Sequence, residues 1–308
     1  MASEAPATAK APVSQFQDCI SGLQRWVDGC NEGALRFKEF LPLTVAGDAV
    51  GYLRPGFAEE LLRFPGVFEQ RNGGLALNDS LATQQERTAA VAKVLESLRV
   101  EGLITGWRNE LYPVVQSFHA EPVFLVERAA AAHFGIKAYG VHMNGYVTLP
   151  DGSQELWVAR RSKSKPTWPG KLDHMVAGGQ PHGLSCGENI VKECGEEAGI
   201  PADLAWKARA VGAVSYTSLK LGGLGRDVLF CYDLELPADF VPQPQDGEVD
   251  EFMRLPVHQV VSMIANTNEF KDNCNLVIVD FLMRHGYLTP DMPGYCGLLA
   301  GLRSGDCS

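Results

Sequence analysis

The chain has 308 residues, 45% of them hydrophobic and 21% charged, and carries a formal net charge of −10 at pH 7. That size and mixture suit a globular protein of about two domains with sizeable cores. The acidic balance argues against a nucleic-acid partner, whose footprint would be basic, and no apolar run of about 18 residues offers a membrane span.

Residues 1–14 are rich in Ala, Pro, Ser and Thr and contain no arginine. They read as a disordered tail, because a secretory signal needs an apolar core and a plastid transit peptide normally carries arginine. The cytoplasm is the expected location, with a plastid as the alternative. From Gln15 to Cys30, Phe16, Ile20, Leu23 and Val27 recur at helical spacing. Phe40 to Leu53 reads as a hairpin. Thr83 and Glu86 form a capping box that opens a helix through Val91, Leu95 and Leu98, ending near Gly102. Trp107–Val115 and Val123–Glu127 read as strands and Arg128–Phe134 as a helix, so residues 15–135 are predicted to be an N-terminal α+β domain. Such a module either packs and dimerises, giving a homodimer, or covers a catalytic site and chooses the substrate.

Residues 136–308 are expected to form the second domain. Gly140–Leu149 and Glu155–Ala159 read as strands, the second followed by the basic pair Arg160 and Arg161. A loop, Lys165 to Gly170, precedes Leu172–Ala177 and a glycine turn at Gly178 and Gly179. Ser185 and Glu188 then form a second capping box, and Gly199 supplies the helix stop. Val211–Ser215 and Val228–Leu234 read as strands joined by a flexible Gly222–Gly225 connection. Gln243–Glu251 is acidic and turn-rich, Phe252–Leu255 reads as a strand, and Val257–Ala265 and Asn275–His285 as helices.

Chemistry concentrates on the helix after Ser185. Glu193, Glu196 and Glu197 lie three or four residues apart and converge on one rim. Carboxylates packed so closely repel unless a hard cation sits among them, and Mg²⁺ takes oxygen ligands while joining carboxylates to phosphates. Glycines upstream let backbone approach a ligand, and arginines receive negative charge. The eight cysteines show neither a C-x-x-C pair nor zinc spacing and read as scattered reduced thiols. His142, His174 and His182 read as hydrogen-bonded structural groups.

The stretch from Gly178 to Ile200 resembles a Nudix box. Gly178 takes its first position, Glu193 the glutamate after the arginine, Glu196 and Glu197 the acidic pair, and Gly199 and Ile200 the end. Leu184 stands where the box has its first glutamate, Lys192 replaces the arginine, and Cys194 fills an aliphatic position. Glu188, four residues before Lys192, is the expected helix-face partner for that lysine. With KLDHMVAGG, WRNELYPV and the closing RSGDCS included, the chain is similar to the thiamine pyrophosphokinase-related Nudix proteins of plants and fungi.

The resemblance implies an α+β protein, a Nudix-type α/β/α sandwich with a mixed sheet preceded by a smaller α+β domain. It implies hydrolysis of thiamine diphosphate derivatives, with oxo- and oxythiamine diphosphate preferred. Glu193, Glu196 and Glu197 are the expected ligands of Mg²⁺ or Mn²⁺. Glu193, Glu248 and Glu251 are candidate bases, and Gly178, Gly179, Arg160, Arg161 and Trp168 candidate contacts for a small-molecule diphosphate. Two alternatives remain. An isopentenyl-diphosphate-isomerase-like enzyme would need a cysteine and a glutamate placed to protonate a double bond, and a catalytically silent binding protein is suggested by Leu184.

Overall fold

The computed structural model describes residues 16–307; the N-terminal tail and Gln15 lie outside the described residues. A short turn over Gln17–Cys19 leads into α1 (Ile20–Cys30), which buries Ile20, Leu23 and Val27 as their spacing requires. After α2 (Glu32–Leu35) come β1 (Leu41–Val45) and β2 (Asp48–Leu53), the hairpin expected from the sequence. Ala46 and Gly47 turn it with φ of 51° and 93°, the left-handed pair a two-residue hairpin turn demands.

Next follow α3 (Pro55–Leu62), β3 (Phe68–Arg71) and β4 (Gly74–Leu77). The sequence reading did not anticipate them, although Asn72-Gly73, with φ of 50° and 79°, is a strong local hairpin signal. In the resulting four-stranded sheet, ordered β2-β1-β4-β3, β1 and β4 run parallel. The helix α4 (Gln84–Val100) starts at the Thr83–Glu86 capping box, both of whose hydrogen bonds form. Only Leu111–Val114 of the expected 107–115 strand is extended, as β5; it pairs with β6 (Phe124–Glu127). The preceding backbone turns at Asn109, whose φ is 56°, and Arg108 N–H donates to Glu127 Oε1 instead of to a strand. The short helix α5 (Ala131–Phe134) closes on left-handed Gly135.

A seven-stranded mixed sheet fills the second half. It comprises β7 (Lys137–Thr148), β8 (Gln154–Arg161), β9 (Leu172–His174), β10 (Val176–Gly179), β11 (Arg209–Lys220), β12 (Gly223–Glu235) and β13 (Val249–Pro256). The main order is β11-β12-β7-β8-β13, with β7 and β12 parallel, β9 on β8 and β10 on β7. The run 172–177 therefore changes partner at Met175, and Gly178 and Gly179 lie in β10 rather than in a turn. Arg160 and Arg161 end β8 rather than lying in a loop. Glu251 pairs within β13, so the acidic turn stops at Glu248. Between β11 and β12 only Leu221 and Gly222 intervene. Gly222 and Gly223 pack on His133 and on Ala132 of α5, so a tight, docked turn replaces the expected flexible connection.

On one face of this sheet lie α6 (Cys186–Ala198) and α7 (Ala202–Ala205), packed over Val141, Met143, Trp157 and Tyr232. On the other lie α8 (Val257–Asn266), α9 (Asp272–Arg284) and the unanticipated α10 (Tyr295–Gly301), over Leu156, Val158, Leu229 and Cys231. The architecture is α+β, with the mixed sheet between two helical layers. The first helix shares that second cluster: Ile20, Leu23 and Val27 pack with α8, α9 and α10, and Gly22 meets the Ala265 backbone so closely that a Cβ would overlap it. The four-stranded sheet builds its own core with α3, α4 and the 111–126 hairpin.

Candidate active site

The helix α6 starts where its chemistry predicts. Ser185 Oγ accepts from Glu188 N–H, and the Glu188 carboxylate accepts from Ser185 N–H at 2.9 Å. That carboxylate is thereby committed to the cap, and Lys192 pairs with Glu196 at 2.7 Å and Glu193 at 3.2 Å instead of with Glu188 as expected. The cap is local and the lysine rotates toward the denser negative charge.

Glu193 and Glu197, one turn apart, look back onto β10. A Cβ on Gly178 would overlap the Glu193 carboxyl group, so the glycine makes room for it. Ala177 N–H donates to Glu197 Oε2 at 2.9 Å. Burial raises the Glu193 carboxyl above its ordinary range, opposed by Lys192. Burial also holds Glu197 well above the carboxylate range; the Ala177 hydrogen bond opposes this, while the charges of Glu193, Asp173 and Glu248 reinforce it. Glu196 is exposed at the outer edge of the group. Such oxygen donors under mutual repulsion are the surroundings a hard divalent cation relieves, so the residues present fit one.

The remaining candidates separate. Glu248 forms an ion pair with Lys165, whereas Glu251 sits opposite Arg160 on the sheet and binds its Nε at 2.9 Å. Arg160 also donates to Gly170 O. Arg161 is occupied by Asp173 at 2.7 Å and by the carbonyls of Trp168 and Thr167. Both arginines thus fasten the 162–170 loop, and Trp168 rides on it, 36% exposed and with a φ of 49°. His182 is exposed, and Leu184, 38% exposed, uses its carbonyl to accept from Gln180 Nε2.

Sequence reasoning missed two side chains from the other half of the chain. A Cβ on Gly179 would run into the Tyr112 hydroxyl and approach Arg128 Cζ to 3.3 Å, so β5 and the segment after β6 stand directly against the glycine strand. Arg128 lies over the Tyr112 ring at 5.5 Å, pairs with Glu110 at 2.6 Å and feels the charge of Glu193. Glu110 and Tyr112 belong to the WRNELYPV motif; Arg128 carries no motif, and its place depends on the tertiary fold.

A glycine strand under a glutamate helix can hold a hard cation beside a phosphate, and comparison with known proteins places the chain among hydrolases. Residues 141–274 match the NUDIX domain, and residues 22–138 match a domain of unknown function, DUF4743. The chain is 52% identical over 301 residues to Nudix hydrolase 24, chloroplastic, of Arabidopsis thaliana, covering 97% of this chain and 82% of that protein. It is 51% identical to Nudix hydrolase 20, chloroplastic, of the same plant, covering 94% of this chain and 79% of that protein. The chain belongs to the Nudix hydrolase family and is an enzyme. Among solved structures, the NUDIX domain of Shewanella oneidensis NrtR in complex with ADP ribose is 15% identical, with a TM-score of 0.39, covering 51% of this chain and 91% of that one. Nudix hydrolases generally use divalent metals such as Mg²⁺. Among the described residues no helix is long and apolar enough to cross a membrane.

Proposed function

We propose that this enzyme hydrolyses the diphosphate linkage of thiamine diphosphate derivatives, oxo- and oxythiamine diphosphate above the intact cofactor, giving the monophosphate and phosphate. The observation that carries the reading is the seam at Gly178 and Gly179, where a glutamate cluster meets a tyrosine and an arginine of the N-terminal half. The likeness of both halves to the thiamine pyrophosphokinase-related proteins supplies the substrate class.

In this reading Glu193, Glu196 and Glu197 hold Mg²⁺ or Mn²⁺. When bound, the ion neutralises diphosphate charge and makes a water more acidic. The water oxygen attacks phosphorus, the bridging P–O bond breaks, and the leaving phosphate takes its electron pair. Glu248, whose charge is felt by Glu197 and which is held by Lys165, accepts the water proton. Glu193 is the alternative base, whereas Glu251 is drawn away by Arg160. Gly178 and Gly179 make room beside the backbone for the Glu193 carboxyl and the Tyr112 hydroxyl, and Arg128 receives the outer charge of the diphosphate. Trp168 stacks on a ring of the substrate. Arg160 and Arg161 act by holding the loop that carries Trp168.

Incubation with Mg²⁺ and, separately, oxythiamine diphosphate, thiamine diphosphate, ADP-ribose and isopentenyl diphosphate, with product analysis, tests this. Oxythiamine monophosphate plus phosphate as the fastest products is expected. Faster cleavage of ADP-ribose removes the substrate class, isomerised isopentenyl diphosphate removes the reaction class, and no turnover of the thiamine compounds removes them as substrates.

A further inference from the structure

Behind the glutamate cluster the sheet encloses a second group of metal-ligating side chains. His142 of β7, Asp173 and His174 of β9 and Cys274 of α9 are all buried, none more than 5% exposed, and their ligand atoms lie within 4.8 Å of one another. We propose that these four side chains form a binding site for a zinc-like transition metal, distinct from the glutamate site on α6.

The donor set is the first argument. Two imidazoles, a thiol and one carboxylate oxygen suit a tetrahedral ion of borderline softness and suit Mg²⁺ poorly. The spacing is the second. Zinc–nitrogen and zinc–sulfur bonds of about 2.0–2.3 Å put tetrahedral ligands roughly 3.3–3.8 Å apart. Here the facing Nδ1 atoms of His142 and His174 are 3.0 Å apart and Cys274 Sγ is 2.6 Å from Asp173 Oδ1. These edges are somewhat short and the longest is somewhat long, so shifts of about an ångström make room for an ion.

The outer contacts are the third argument. Asp173 turns Oδ1 toward Cys274, while its other oxygen is held by Arg161 at 2.7 Å and Lys271 at 3.3 Å. A ligating carboxylate is typically oriented in this way by groups behind it. Burial keeps both imidazoles neutral, the form a metal requires. Nε2 of His174 has no hydrogen-bond partner, whereas Nδ1 lies 3.0 Å from His142 Nδ1 and 3.6 Å from Asp173 Oδ1, so Nδ1 is the nitrogen aimed into the site and metal binding would move its proton to Nε2. Binding releases one proton, from the Cys274 thiol, so the thiolate offsets one of the two charges of the ion, and the Asp173 carboxylate is shared among the ion, Arg161 and Lys271. The site would tie α9 to two strands of the central sheet.

The full chain, purified without chelators, is expected to contain about one equivalent of zinc by elemental analysis. Replacing that zinc with Co²⁺ should give tetrahedral d–d bands and a thiolate-to-cobalt charge-transfer band. Cys274→Ser should lose the charge-transfer band, and His142→Gln should release the metal to a chromophoric chelator at lower chelator concentration than the wild type does. If the variants fail to fold, the charge-transfer band and its resistance to excess Mg²⁺ in the wild-type chain still decide the matter. Trace zinc with no charge-transfer band, or metal retained unchanged in folded variants, overturns the proposal and leaves a hydrogen-bonded polar core.

Discussion

Glu193 and Glu197 differ from the other acidic groups of α6 in having no room to turn away: one fills the space left by Gly178 and the other holds the Ala177 amide. Glutamine keeps the size and hydrogen-bonding capacity of either side chain while removing its charge. Glu193→Gln and Glu197→Gln should therefore each lower kcat at least about a hundredfold with little change in thermal unfolding. Near-normal kcat in both would remove these residues from the metal site. A different carboxylate contributes to acid stability. Burial raises the Asp233 pKa, but hydrogen bonds from His285 and Arg284 outweigh it and pull the group down to about 2. A depressed carboxylate stabilises the fold above its unfolded pKa and ceases to do so as pH falls through the folded value. The contribution of about 2 kcal/mol should be complete above about pH 4 and fade toward pH 2. In urea titrations, the gap between the wild type and Asp233→Asn should narrow across that window; a constant gap would contradict the assignment.

At the scale of elements, β5, β6 and β10 make the seam that distinguishes this chain from a bare Nudix core. Arg128 is held by Glu110 in a pair both of whose partners are partly exposed, and such pairs contribute little to stability. Its removal should therefore appear in substrate binding. Arg128→Ala is expected to raise KM for the diphosphate substrate about tenfold while moving Tm only slightly, with Arg128→Lys between the two, since lysine keeps the charge and loses the planar fork. An unchanged KM in the alanine variant would show that Arg128 belongs to the packing alone.

For the whole molecule, the helix that opens the described chain closes the core of its far end. Ile20, Leu23 and Val27 are buried among α8, α9 and α10, each such side chain contributing about 1.5–3 kcal/mol, and Trp26 Nε1–H donates to Ile264 O at 2.8 Å. A fragment of residues 136–308, the division expected from sequence, lacks this helix. It should be poorly soluble or unfold at much lower denaturant than the full chain, and co-expressed residues 16–35 should recover part of the loss. A fragment as stable as the full chain would mean that α1 only decorates the surface. Substrate selectivity is accordingly better tested with point variants at Tyr112 and Arg128 than by truncation.

Local rules make many of the helices, the capping boxes and the first hairpin readable from neighbouring residues, although the Asn72-Gly73 turn is equally local and its hairpin is not among the expected elements. The Ser185–Glu188 and Thr83–Glu86 caps, the periodicity of α1 and the glutamate spacing on α6 are of this kind, and the box itself pointed to the family. Tertiary structure alone decided the rest. Strand partners are chosen by contacts far apart in sequence, so the change of partner at Met175 left no local trace. Arg160 and Arg161 looked free because their partners, Glu251 and Asp173, are brought to them by the sheet. Arg128 reaches the glycine strand, and His142, Asp173, His174 and Cys274 meet, for the same reason: each approach is set by packing between elements remote in the chain, which neither spacing nor composition records.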